Sequence, residues 1–125
     1  MRELLIVSLG SFLGGGMRFL VSRVLGLVVS SPFPAGTLAV NILGCLLMGF
    51  FTSLPSSHGW LTPHVRLLLT TGFCGGFTTF STFVKEGGGL LSAHMPLALA
   101  AYLGLSLVLG MAAFWLGCRL GASVA

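Results

Sequence analysis

Long apolar runs separated by short polar segments form the main pattern of this chain. Four runs are long enough to cross a membrane, and they cover about residues 4–29, 35–54, 65–84 and 97–120. A helix rises 1.5 Å per residue, so about 20 apolar residues span the hydrocarbon core of a bilayer. The pattern predicts an all-α integral membrane protein, with a single domain of four transmembrane helices over residues 1–125.

The segments between the runs contain turn-forming residues. Pro, Ser and Gly are concentrated at residues 30–34, 55–59 and 85–89, which we predict to be the three loops. Loops this short leave no space for a soluble catalytic domain. The sequence also lacks a nucleophile–base pair or a metal-ligand cluster, so we expect the protein not to be an enzyme.

Composition supports lipid as the main solvent of the chain. Of its 125 residues, 55% are hydrophobic and 6% are charged, whereas about 25% are charged in an average soluble domain. Six Lys and Arg against two acidic residues give a net charge of +4. These basic residues form no cluster, which argues against a nucleic-acid partner.

The distribution of Lys and Arg gives almost no orientation signal. With four spans, Arg2, Arg66 and Arg119 share one side of the membrane, and Arg23 and Lys85 lie on the other. Because cytoplasmic loops normally carry the excess of positive charge, this balance favours insertion in both orientations and permits an antiparallel homodimer. The alternative is a single orientation that lipid or the insertion machinery fixes.

Glycines within the spans predict close contacts between helices. Gly10 and Gly14 are four residues apart, as are Gly117 and Gly121. This spacing places small residues on one face of a helix and lets a neighbouring backbone approach. We therefore expect tightly packed helices and an oligomer.

Polar residues inside spans are costly and mark functional candidates. The predicted span interiors contain hydrogen-bond donors, whereas the two carboxylates, Glu3 and Glu86, are predicted at span ends. A cation route or a proton-coupled antiporter would need a buried acid, so this inventory favours an anion. The donors are Arg18, Thr37, Asn41, Thr70, Thr71, Thr78, Thr79, Ser81, Thr82, Tyr102 and Ser106.

Two pairs of these donors have helical spacing. Thr37 and Asn41 share one face of the second span, and Tyr102 and Ser106 share one face of the fourth. Each residue either lines an ion route or bonds within and between helices, and a Ser back-bond to its own helix is common. Arg18 either faces a wet vestibule or extends to the lipid headgroups.

The third span has the most unusual composition. Its middle combines glycines with hydroxyl residues, which weakens a helix and predicts a break near residues 75–78. Freed carbonyls would suit a small cation, and freed amides would suit an anion. The alternative is a continuous helix whose glycines admit a neighbour. The rings of Phe77, Phe80 and Phe83 either pack or present positive edges to an anion.

Three segments of the sequence resemble the small bacterial Fluc (CrcB) fluoride channels. They are GGGMRF at residues 14–19, GTLAVN at residues 36–41 and GFCGGFTTFSTF at residues 72–83. The resemblance implies a fluoride-selective channel that passively exports fluoride across the bacterial inner membrane and reduces toxicity. It further implies an antiparallel, dual-topology homodimer with two pores and a structural sodium ion at its centre.

The resemblance also implies roles for individual residues. Phe80 and Phe83 would line the pore, Asn41 would donate to the ion, and backbone carbonyls of Gly75 and Thr78 would hold sodium. The remaining expected pore and vestibule residues are Thr37, Thr79, Ser81, Tyr102, Ser106 and Arg18. The alternatives are a small dual-topology drug/proton antiporter and a non-transporting membrane assembly subunit.

Overall fold

The computed structural model describes residues 1–57 and 59–124, so His58 of the second predicted loop lies outside the described residues. This part of the chain is helical, with short connections. A π-helical segment, Leu68–Cys74, joins the third and fourth helices. The helices are α1 (Arg2–Val28), α2 (Ala35–Ser53), α3 (Pro63–Leu67), α4 (Gly75–Phe77), α5 (Ser81–Ser92) and α6 (Pro96–Ser123).

These helices form four candidate membrane spans, which confirms the predicted all-α membrane architecture. α1, α2 and α6 each provide one span, and the third span is the bent segment Pro63–Ser92. All four are long and apolar enough to cross a bilayer. Large apolar side chains on α1 and α6, such as Phe12 and Met111, are exposed, as expected where the surrounding solvent is lipid.

The prediction of a loop at residues 85–89 is wrong, because this segment lies inside α5. The connection to α6 is residues 93–95, where His94 adopts a positive φ of 58°. A glycine costs a helix only about 1 kcal/mol relative to alanine. Burial of Leu90 and packing of Gly87 against Leu99 oppose that cost.

α2 and α6 pack closely because glycines replace side chains at their crossing. A Cβ on Gly49 would meet the Phe114 carbonyl, and a Cβ on Gly117 would meet that of Leu46. One turn on, Gly121 lies against the Phe50 backbone. The expected close approach at Gly117 and Gly121 is therefore confirmed.

α1 packs in the same manner on the third span. A Cβ on Gly10 would lie 2.6 Å from the Leu68 carbonyl, and one on Gly14 would meet the Phe73 carbonyl. The Ser11 hydroxyl donates to the Gly72 carbonyl at 3.2 Å. This backbone-to-backbone contact confirms the expectation for Gly10 and Gly14.

The third span is broken, as the glycine-rich sequence predicts. Helical backbone ends at Phe77 and resumes at Ser81, and Thr78 is extended with φ −88° and ψ 159°. The predicted position, residues 75–78, is about three residues too early. Gly75–Phe77 is helical, and Gly76 packs against the Ser11 backbone.

The second loop is fastened by an arginine from the start of the third span. The Arg66 guanidinium donates to the carbonyls of Phe51, Thr52 and Leu54 at 2.6, 2.9 and 2.8 Å. These carbonyls belong to the end of α2, where no intrahelical donor remains. A cation at a helix C-terminus also interacts favourably with the helix dipole, so Arg66 joins α2 to α3.

Candidate ion pocket at the break in the third span

A pocket of about 470 Å³ lies beside the break. α2, α5, α6 and the non-helical residues of the third span all contribute to it. It combines an amide, several hydroxyls and two phenyl rings with apolar side chains. The lining residues are Asn41, Cys45, Thr78, Thr79, Phe80, Phe83, Leu103, Ser106 and Leu107.

Asn41 links α2 to the break through both ends of its amide. Its Oδ1 accepts from the Thr79 backbone N–H at 2.8 Å, and its Nδ2 donates to the Thr79 carbonyl at 3.1 Å. The side chain therefore replaces the backbone partners that Thr79 loses where the helix stops. Within the described part of the chain, the second hydrogen on Nδ2 is not used by either bond and remains for a ligand in the pocket.

The break separates two carbonyls from their usual helical donors. The Thr79 amide, four residues after Gly75, bonds to Asn41 instead. The Thr82 amide, four residues after Thr78, bonds to the Thr79 hydroxyl at 3.2 Å. A Cβ on Gly75 would find only the Thr70 carbonyl within 4 Å, at 3.9 Å. Carbonyl oxygens without their helical donors are ligands of the kind that a hard cation prefers.

Ser106 provides an unpaired donor in the pocket wall. Its Oγ is buried and has no hydrogen-bond partner among the described residues. Ser106 therefore does not bond to a carbonyl of its own helix, which was the alternative to a role in the ion route. A buried hydroxyl without a partner costs about 1–3 kcal/mol, so a hydrogen-bond acceptor that reaches this oxygen would recover that free energy.

The aromatic residues form a connected series rather than a buried stack. The Phe80 ring is 76% exposed and lies 5.9 Å from the Phe83 ring, tilted by 44°. Phe83 in turn lies 5.0 Å from Tyr102, whose other ring contact is Phe33 at 5.6 Å. Phe77, by contrast, is buried and stacks on Phe73, so the structure separates it from the two pocket rings.

Tyr102 and Thr37 lie next to the pocket but do not line it. Both are buried, and their side chains interact with each other. The Tyr102 hydroxyl also donates to Glu86 Oε1 at 3.5 Å. Glu86 was expected at a span end, but it lies inside α5 and faces this phenol.

Arg18 and Ser81 are also outside the pocket lining. The Arg18 Nε donates to the Gly76 carbonyl at 3.3 Å, which is one of the carbonyls at the end of α4. Its charge therefore lies close to the break, on the α1 side. Ser81 is exposed at the first turn of α5.

Sequence reasoning missed Cys45, Leu103, Leu107 and Glu86. Helical spacing would have found Cys45 and Leu103, because Cys45 follows Asn41 by four residues and Leu103 precedes Ser106 by three. Leu107 directly follows Ser106, so spacing from Ser106 would not have found it. Glu86 follows Phe83 by three residues, which places both on one face of α5. The sequence does not predict this shared face, because residues 85–89 are expected to form a loop.

The four spans and the polar pocket at the broken helix define a multi-pass membrane protein. Comparison with known proteins then gives its family. The family described as CrcB-like protein, Camphor Resistance (CrcB), matches residues 5–118. The chain belongs to this family.

Several curated relatives share one name. A protein of Chlorobium phaeobacteroides (strain BS1), named fluoride-specific ion channel FluC, is 45% identical over 94% of this chain and 91% of its own length. The proteins of that name from Chlorobaculum tepidum and Nitratidesulfovibrio vulgaris (strain Miyazaki F) are 44% and 40% identical. The Chlorobaculum match covers 96% of this chain and 94% of the relative. The Nitratidesulfovibrio match covers 99% of this chain and 100% of the relative.

Proposed function

We propose that this protein is a fluoride-selective channel of the bacterial inner membrane, through which fluoride leaves the cell down its electrochemical gradient. Family membership and the names of the curated relatives support a channel and not an enzyme. The observation in the structure that carries the proposal is the buried, unpaired Ser106 hydroxyl, which shares a pocket with the Asn41 amide.

The pocket chemistry fits a small, strongly hydrated anion. Such an ion enters only where several donors replace its water shell. Asn41 and Ser106 offer N–H and O–H groups, and the edges of Phe80 and Phe83 carry partial positive charge. Neutral donors hold an anion less firmly than a fixed cation would, which favours passage over retention.

Fluoride efflux from proteoliposomes tests this proposal. We expect rapid fluoride release and little chloride release, and a Phe80→Leu variant should release fluoride more slowly. Phe12→Leu is the matched control, since Phe12 on α1 is 74% exposed and Phe80 is 76% exposed. Equal chloride and fluoride release would overturn the selectivity. Fluoride accumulation driven by a proton gradient would indicate coupled transport instead.

We further propose that two copies pair in antiparallel orientation around a structural sodium ion. The Gly75 and Thr78 carbonyls of both subunits would hold it, because the amides four residues on bond elsewhere. When bound, sodium would neutralise the facing carbonyl dipoles and join the subunits. Arg18, bonded to the Gly76 carbonyl at the end of α4, belongs to the expected vestibule.

Thermal unfolding in detergent tests the sodium site. A ligand that binds only the folded state raises its stability by mass action, so sodium should raise the midpoint relative to potassium at equal ionic strength. The dimer should also persist longer in sodium. Identical midpoints and identical dimer lifetimes in the two salts would contradict the proposal.

A further inference from the structure

We propose that Asn41 is a positioning residue: its amide holds the backbone at the break, and this sets where the Phe80 ring lies in the pocket. The role rests on the proposed channel function. It differs from the expected role as an ion donor, because it uses the Asn41 oxygen and one Nδ2 hydrogen on protein groups.

The backbone at the break depends on few contacts. Residues 78–80 lie between α4 and α5. Thr78 keeps a helical bond from its N–H to the Cys74 carbonyl at 3.0 Å, and the Phe80 carbonyl accepts from the Val84 N–H at 2.9 Å. Thr79, at the centre of this segment, has both backbone groups bonded to Asn41. Its hydroxyl bonds to the Thr82 amide and hydroxyl at 3.2 and 3.1 Å, which fixes the start of α5.

Phe80 follows Thr79 directly, and its own side chain contributes little to its position. The ring is 76% exposed, and its aromatic contact is the tilted Phe83. A mostly exposed ring is not held by burial, so its place is set by the backbone that carries it. The backbone is held on both sides of the ring: the Phe80 carbonyl accepts from the Val84 N–H at the start of α5, and the two Asn41 bonds to Thr79, which we call the clamp, hold the preceding residue.

The amide also couples the ring to the ion site. Because an amide is planar and rigid, holding its oxygen and one N–H fixes the direction of the second N–H. Asn41 lines the pocket with Phe80 and Ser106. One side chain thus aligns a donor with a ring edge, and loosening the clamp should relax selectivity as well as slow fluoride.

Two substitutions separate clamping from ion donation. Asn41→Ala removes both functions, whereas Thr79→Pro leaves the Asn41 amide intact and removes the N–H bonded to Oδ1 together with the Thr79 hydroxyl. Proline disfavours a helical preceding residue, and Thr78 is already extended. Thr79→Val is the matched control, since it loses the hydroxyl bonds to Thr82 but keeps the N–H.

Hydrogen exchange at the Thr79 amide, measured by NMR in micelles, tests the bond between Thr79 and Asn41 without a measurement of ion flux. One hydrogen bond is worth about 1 kcal/mol net, so Asn41→Ala should raise exchange at Thr79 about five- to tenfold. Exchange at Phe77, in the preceding helix, should change little. Unchanged exchange at Thr79 would overturn the clamp.

The ratio of fluoride to chloride efflux tests whether Asn41 positions the Phe80 ring. We expect this ratio to fall in Thr79→Pro to below half of its value in Thr79→Val, although both lack the hydroxyl. Equal ratios in these variants would overturn positioning, even where Asn41→Ala slows fluoride. If the unaltered protein releases no fluoride, the channel proposal fails, and Thr79 exchange still decides whether the clamp exists.

Discussion

At the scale of single residues, polar side chains near the break satisfy backbone groups. Asn41 bonds the Thr79 backbone, Thr79 bonds the Thr82 amide, and Arg18 bonds the Gly76 carbonyl. In lipid, backbone groups without partners cost several kcal/mol each. The non-helical segment therefore persists because side chains of α1 and α2 supply the missing partners.

Ser106 departs from this pattern, and its replacement should separate stability from conduction. Ser106→Ala removes an unpaired hydroxyl and its burial cost of about 1–3 kcal/mol. Thermal unfolding in detergent should therefore show an equal or higher midpoint. Fluoride efflux should fall about tenfold, because a donor to the ion is lost.

Ser8→Ala is the control for this prediction. Ser8 is exposed on α1 and back-bonds to the Leu4 carbonyl at 2.6 Å, so its loss should change neither measurement. A Ser106→Ala variant with full fluoride efflux would show that this hydroxyl plays no part in the ion route. A strongly lowered midpoint would show that the hydroxyl has a structural partner.

The sequence identified Asn41 and Ser106 as candidates because each is polar within an apolar run. It left open whether they bond to helices or to an ion. The structure gives different answers: Asn41 bonds the backbone of the third span, and Ser106 has no partner among the described residues. Such contacts join residues far apart in the chain, so spacing within one helix does not determine them.

At the scale of elements, glycines decide which helices lie in direct contact. Gly10 and Gly14 bring α1 onto the third span, and Gly49 and Gly117 bring α2 onto α6. Neither contact relies on a hydrophobic effect, since lipid is as apolar as the helix surfaces. Close van der Waals packing of small residues supplies the attraction instead.

Gly14 and Gly16 are two residues apart in α1, and they should respond oppositely to alanine. A Cβ at Gly14 would meet the Phe73 carbonyl, whereas one at Gly16 would find nothing within 4 Å. Gly14→Ala should destabilise the protein by about 1–3 kcal/mol through overpacking. Gly16→Ala should be neutral or stabilising by up to about 1 kcal/mol.

Thermal unfolding of the two variants in one detergent checks this prediction. Because both substitutions add the same methyl group to the same helix, they differ only in their surroundings. Equal midpoints would show that α1 does not pack against the third span in this register.

The break itself shows how far local sequence reasoning reaches. Glycines and hydroxyl residues predict an interruption from Gly75 onward, yet the helix continues through Gly75 and Gly76 and ends at Phe77. The three consecutive glycines at residues 87–89 also weaken a helix, yet α5 continues through them. Glycine lowers the cost of leaving a helix, but the position depends on where a neighbour offers bonds.

At the scale of the whole molecule, the chain exposes apolar surface and carries little orientation signal. Exposed residues such as Phe12, Leu107 and Met111 require lipid or a second copy. The near balance of Arg and Lys between the two sides gives no strong preference for one orientation. Both features support the proposed dual-topology pair.

Labelling of single cysteines in intact cells tests the orientation. Ser31 in the first loop and Ser56 in the second are exposed and lie on opposite sides in the predicted topology. In a chain without its three free cysteines, Ser31→Cys and Ser56→Cys should each react with an impermeant maleimide in about half of the molecules. Complete labelling of one and none of the other would contradict dual topology.

The sequence alone determined the class of this protein, because the bilayer imposes a length and a polarity that any spanning helix must meet. It also determined which polar residues would be costly in lipid. Only the tertiary structure decided that the break falls at residues 78–80, that Glu86 meets Tyr102 and that Ser106 stays unpaired. Those outcomes depend on hydrogen bonds between spans, whose partners are set by packing and not by local pattern.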